Sequence, residues 1–289
     1  MANLKETRNR IVSVNSTMQI TSAMKMVSAA KLKKATDAVS KMRPYAEKLK
    51  EILVNLSADT SGDSQSEYSD VRDVNKVLVV PVTSNRGLCG GFNANIIKGT
   101  VKLIKEKYDN KEVSLLCVGK KAGDWFTNKG YNVVRSEVEI FNDLTFANSS
   151  VIAEEIMSSF VTKEYDEVIF VYNQFVNAAT QSVQFEKILP VSNDEADGAE
   201  ASVIDYTYEP DRDAIVLDLI PKALKTQFFK GVLDSVASEH GARMTAMHQA
   251  TDNAESLSKA LKLEYNKARQ AAITTEILEI VGGAEALNG

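Results

Sequence analysis

Residues 240–287 read HGARMTAMHQATDNAESLSKALKLEYNKARQAAITTEILEIVGGAEAL, and this stretch decides the fold. From Lys222 to Gly289 there is no proline, and glycine is sparse until the very end. The pattern predicts one very long helix. At about 1.5 Å per residue, roughly 70 residues make a rod about 100 Å long. No compact domain of this size can bury such a rod, so it must lie against another long helix or inside another protein. Its inner positions step by three and four: Met244, Met247, Thr251, Ala254, Leu257, Leu261, Tyr265, Ala268, Ala272, Thr275 and Leu278.

The candidate partner helix lies at the other end of the chain. There the stepping positions are Leu4, Thr7, Ile11, Val14, Met18, Thr21, Met24, Ser28, Leu32, Ala35, Val39 and Met42. This is a coiled-coil-like seam with one local irregularity. Pro44 is expected to kink the helix, with YAEKLKEILVNL continuing it. Both seams are rich in Ala, Ser and Thr, which lets two helix axes approach closely. The economical arrangement is an antiparallel pair of terminal helices with a compact domain attached to its side.

That domain is expected between residues 76 and 210. Apolar runs of strand length, KVLVVPVTSN, SLLCVG, YNVVRSEVEI and DEVIFVYNQF, alternate with helical patterns. Alternation of this kind implies a mostly parallel sheet with helices on its faces. ATQSVQFEKILPV reads as a further strand at an edge. The expected boundaries are a coiled-coil helix over 1–58, a polar linker over 59–75, the α/β domain over 76–210 and a second coiled-coil helix over 211–289, with Asp211 as its N-cap.

Charge is unevenly spread. Residues 1–50 carry eleven Lys and Arg against three Asp and Glu, whereas residues 51–75 carry six acids and one base, Arg72. A basic first helix, including Lys31, Lys33 and Lys34, suits a partner with negative charge. The overall net charge of −5 gives no reason to expect nucleic acid. No run of about 18 apolar residues suggests a membrane span. The start, MANLKETRNR, lacks the apolar region of a secretory signal, so Cys89 and Cys117 are not expected to form a disulfide.

SNRGLCGGFN, residues 84–93, follows a strand and precedes a helix, the usual place for a phosphate-cradling turn. Its glycines Gly87, Gly90 and Gly91 fit neither dinucleotide nor P-loop spacing, and no lysine follows to reach a phosphate. Tight-turn and packing roles are expected instead. Cys89 has no histidine near it in sequence. His240 and His248 stand about two turns apart on one helix, too far to share a metal without other ligands. At the far end, Ile273, Ile277, Leu278, Ile280 and Val281 cover more of the helix than one seam needs, and no Lys or Arg follows Arg269. Such an end is expected to be sheathed by something else.

At these residues the chain resembles the gamma subunit of F-type ATP synthases. The matching stretches are LKETRNRIVSVNSTMQITSAMKMVSAAKLKKA (4–35), SNRGLCGGFN (84–93), SEHGARMTAMHQATDNAESL (238–257) and YNKARQAAITTEILEIVGGAEAL (265–287). The resemblance implies an antiparallel coiled coil beside a Rossmann-like domain. It also implies a rotor shaft that couples the membrane c-ring to catalytic sites on the beta subunits, with alpha, beta and epsilon subunits and the c-ring as partners. On this reading the chain has no active site, cofactor or metal of its own, and sits on the cytoplasmic face of a bacterial inner membrane, held there through its partners. Met24 and Lys25 resemble the place that faces an acidic segment of the beta subunits, and Arg269 and Gln270 resemble polar contacts to a beta-subunit loop. Tyr206, Tyr208 and Glu209, in DYTYEPD, resemble foot contacts to the c-ring. Ile277, Leu278, Ile280 and Val281 would turn in an apolar bearing. A reading from another class stays open here: a nucleotide-binding Rossmann-type enzyme that uses its long helices to oligomerise.

Overall fold

A computed structural model describes residues 4–58, 67–191 and 212–288. In chain order its elements are α1 (Leu4–Ala58), β1 (Lys76–Pro81), α2 (Phe92–Lys107), β2 (Glu112–Val118), α3 (Lys120–Asn128), β3 (Val133–Glu137), α4 (Phe146–Val161), β4 (Glu167–Phe175), β5 (Gln181–Leu189) and α5 (Arg212–Asn288). A short 3-10 turn, Glu139–Phe141, follows β3. The sequence signals for both terminal helices and for the alternating domain are matched in type and order. Pro44 lies inside α1, which runs on as one helix. Asp211 falls outside the described residues, so the expected N-cap does too.

The chain forms two compact units: residues 29–243, and residues 1–28 with 244–289. The larger unit is built on a five-stranded sheet ordered β3-β2-β1-β4-β5. The first four strands are parallel, and β5 closes the edge antiparallel to β4. Strand side chains alternate between faces. In β1, Leu78 and Val80 join one cluster with α4 and α5, whereas Val77 and Val79 join another with α2 and α3. With helices on both faces, the central strands read as unbroken apolar runs such as VLVV and not as alternating ones.

α5 crosses the first face through Ile220, Leu224, Phe228 and Val232. Phe228 stacks at 5.0 Å on Phe170, which lies 5.1 Å from Tyr172. Gly231 lets the helix come this close: a Cβ there would stand 2.2 Å from the Phe170 ring. Gly119, at φ +103°, serves β2 in the same way, because a Cβ would meet the Thr83 carbonyl at 2.1 Å. Within this unit α1 and α5 run antiparallel. Ala35 and Val39 pack with Leu233 and Ala237. Arg43 lies 3.7 Å from the fully buried Asp234.

Candidate contact surfaces and the loop after β1

In the smaller unit α1 and α5 again pair antiparallel, and the register is fixed by hydroxyls and an amide. Thr21 Oγ1 and Thr251 Oγ1 share a hydrogen bond of 2.8 Å. Ser258 Oγ donates to Asn15 Oδ1, also at 2.8 Å. The first strides of α1 follow the predicted seam, with Thr7 and Ser28 buried. On α5 three expected seam positions are exposed: Leu257, and at the far end Thr275 and Leu278. Leu257 is 42% exposed, and Ser258, at 3%, takes its place in the seam. Steps of four and three from Met247 through Thr251 and Ala254 lead to residue 258, then to Leu261, Tyr265, Ala268 and Ala272. Hydrophobicity pointed to the leucine; the heptad selects the serine. Ser258→Ala should lower the stability of this helix pair by about 1 kcal/mol, read from thermal unfolding. In an Asn15→Ala background the same change should add little.

The residues singled out as partner contacts fall into separate bands. Met24, a seam position of α1, and Lys25 beside it are half-buried. Arg269 and Gln270 are exposed on α5. The pairs 21 with 251 and 15 with 258 set the register, so residue 24 lies opposite roughly residue 248. The two bands are therefore about 30 Å apart along the helix. Tyr206, Tyr208 and Glu209 lie outside the described residues. Beyond Ala272 every residue from Ile273 to Ala284 is exposed, with Ile277 at 54%, Leu278 at 65%, Ile280 at 71% and Val281 at 50%. At about 100° per residue, these apolar side chains spread over roughly 160° of the helix, centred on the side away from the seam residues Leu261, Tyr265, Ala268 and Ala272. The apolar end is thus a separate face and not a continuation of the coiled coil. On α1, the exposed Val12, Ile20 and Val27 likewise stand opposite the seam.

In the larger unit the SNRGLCGGFN loop is consumed by its own hydrogen bonds. Ser84 Oγ donates to the Arg86 carbonyl at 2.6 Å, and Asn93 Oδ1 accepts from the Ser84 amide at 2.9 Å. Asn93 Nδ2 donates to Ser84 Oγ at 2.8 Å and to Cys89 Sγ at 3.2 Å. Asn85 ties the loop sideways to the Val138 carbonyl and the Lys120 amide. In open α/β sheets, ligands enter at the strand ends where the order reverses, here beside β1 and β4. That place is filled by protein. Cys89 and Phe92 pack on Ala242, Asn173 Nδ2 donates to the Phe92 carbonyl, and Ser238 Oγ donates to the Asn173 carbonyl.

Arg243 closes this cluster. Its Nη1 donates to Glu239 Oε1 at 2.6 Å, and its Nη2 reaches the carbonyls of Arg86 and Gly87 at 3.2 and 3.4 Å. Burial raises the Glu239 carboxyl above its ordinary range, against the pull of Arg243, Lys31 and Arg86. Burial, with Arg243 and Lys31 beside it, pushes His240 down to about 4, so at neutral pH it is an uncharged neighbour to Arg243 Nη1 at 3.4 Å. His248 is exposed and pairs with Asp252. Local sequence spacing carries no signal for Arg243, because nothing in it links the residue to carbonyls more than 150 residues earlier.

Comparison with known proteins fits this arrangement. A family model described as ATP synthase matches residues 3–287. The ATP synthase gamma chain of Flavobacterium psychrophilum is 60% identical over 289 residues, covering all of both chains. The chain belongs to the ATP synthase gamma chain family. The gamma chain of Flavobacterium johnsoniae is 59% identical over the same full length, and that of a Geobacter species 46% identical over 290 aligned residues. Among solved structures, a chain of the Euglena gracilis mitochondrial ATP synthase F1/c-ring assembly superposes with a TM-score of 0.72 at 25% identity, covering 98% of this chain and 94% of that one. A chain of the Tetrahymena thermophila mitochondrial ATP synthase central stalk/c-ring structure gives 0.59 at 25% identity, covering 80% and 99%. The family and the filled strand-end crevice together disfavour the nucleotide-binding enzyme.

Proposed function

We propose that the chain is the central rotor shaft of an F-type ATP synthase, linking rotation of a membrane c-ring to ATP synthesis or hydrolysis on beta subunits. The observation that carries the mechanical part is the apolar end of α5, whose exposed face has no helix beside it among the described residues. A face of that kind needs a sleeve, and a ring of alpha and beta subunits supplies one. Its partners are then the alpha, beta and epsilon subunits and the c-ring. Residues 1–58 and 211–289 act as the shaft helices, 59–75 as a linker and 76–210 as the domain of the foot, where Tyr206, Tyr208 and Glu209 meet the c-ring.

On this reading catalysis belongs to the beta subunits. No helix among the described residues is long and apolar enough to cross a membrane, which fits attachment through partners at the cytoplasmic face of a bacterial inner membrane. A shaft must not stick at any one angle. Lys25, Arg269 and Gln270 offer exposed or half-exposed polar contacts beside Met24, and surface ion pairs of this kind are worth only about 0–1 kcal/mol each. Co-expression of the tagged chain with alpha and beta subunits tests the reading. A stable complex whose ATP hydrolysis turns a bead fixed to the chain is the expected result. Failure of the chain to bring down alpha and beta subunits would overturn it.

A further inference from the structure

One surface feature, within the α/β domain, shares no residue with the shaft helices, the loop cluster or the three residues placed at the c-ring. Between α2 and α3 lies an open cavity of about 390 Å³, lined by Ile97, Val101 and Trp125 and rimmed by Lys98, Lys102, Lys105 and Glu106. The floor is firm. Ile97, Val101 and Trp125 pack against the buried cluster of Ile96, Ala122 and Phe126. The Trp125 ring meets Phe126 edge-on at 5.0 Å. The rim is exposed, and its one acid is weakly engaged: Lys102 and Glu106 stand 3.8 Å apart with both side chains mostly in water. We propose that this groove docks an acid-rich segment of a partner protein, with an apolar side chain of that segment seated on Trp125.

Charge complementarity selects this occupant. Lys98, Lys102 and Lys105 follow one another at steps of four and three, so they line one side of α2 over about 10 Å. One small anion cannot span that distance, whereas carboxylates spaced along a peptide can. The apolar floor asks for an anchor that a purely acidic chain lacks, since recognition sites of this kind combine an apolar seat with a few placed polar groups. The chain as a whole carries a net charge of −5, so a basic rim of three lysines and one glutamate is a local reversal of sign.

Trp125 is the only tryptophan, which gives the full-length chain a built-in reporter. The probe is a short synthetic peptide with glutamates at steps of three and four around a central leucine and no aromatic residue. Addition of this peptide should shift Trp125 emission saturably, and anisotropy of a labelled copy should give the same affinity. Lys98→Glu with Lys102→Glu, both at exposed positions, should weaken binding at least about 10-fold, with circular dichroism unchanged. Trp125→Phe should remove the emission signal and leave the anisotropy signal. Absence of saturation up to about 1 mM would overturn the proposal. So would equal binding by a peptide with lysine in place of glutamate, by one with serine in place of leucine, or tighter competing binding of anionic phospholipid vesicles.

Discussion

Arg243→Met should destabilise the sheet-bearing unit by about 3–5 kcal/mol, because it removes one partner of a buried ion pair and leaves the other charged. Both side chains are nearly enclosed, with 10% of Arg243 and 12% of Glu239 exposed. The loss is larger than one ion pair, since the same guanidinium holds the carbonyls of Arg86 and Gly87. The methionine keeps much of the length and apolar stem of arginine, so the change tests charge and hydrogen bonding. Adding Glu239→Gln should recover a substantial part of the loss, because no buried carboxylate is then left alone. Thermal and denaturant unfolding of the single and double variants decide the matter. A single-variant loss below about 1 kcal/mol would show that the arginine is a passive neighbour.

The second large effect is expected at Gly231. A methyl group there cannot coexist with the present position of the Phe170 ring, which would be 2.2 Å away. Either α5 lifts from the sheet or the ring turns out of its stack with Phe228 and Tyr172. Overpacking of a tight core usually costs about 1–3 kcal/mol, and the upper end applies where the neighbour is a ring enclosed on all sides. Gly231→Ala gains a little helix propensity, about 1 kcal/mol, which offsets only part of the clash. Phe170→Leu in the Gly231→Ala background should restore some stability, although Phe170→Leu alone lowers it. Additive losses in the double variant would show that the two residues do not oppose each other.

Much of this architecture is legible in the residues themselves. VLVV, SLLCV and EVIFVY read as strands because burial on both faces removes the need for alternation. The α1 seam follows from its three-four stepping, and the edge position of β5 from its mixed pattern. The seam of α5 departs from the hydrophobic pattern at Leu257, where the period favours Ser258, and at its far end, where Thr275 and Leu278 stand exposed. A slim two-helix contact depends more on size and hydrogen bonding than on apolar area, so hydrophobicity is a poor guide there. The Arg243 latch was invisible for another reason. Its acceptors are backbone carbonyls, which every residue carries, and their place is set only when the sheet has formed. The direction of the apolar end could be computed from helical period, but only against a seam correctly placed.

The inequality in reach between α1 and α5 has a mechanical consequence. With residue 21 beside 251 and 15 beside 258, the start of α1 falls near residue 268, and past it the described part of the shaft is a single helix. Two helices held together resist bending far more than one, because material is moved away from the bending axis. The molecule therefore has a stiff stem and a supple end. A supple end centres itself in an imperfect socket and tolerates wobble without transmitting it downward. The stem, pinned in register by directional hydroxyl contacts, takes up load as twist, since slip by one heptad would break both of them.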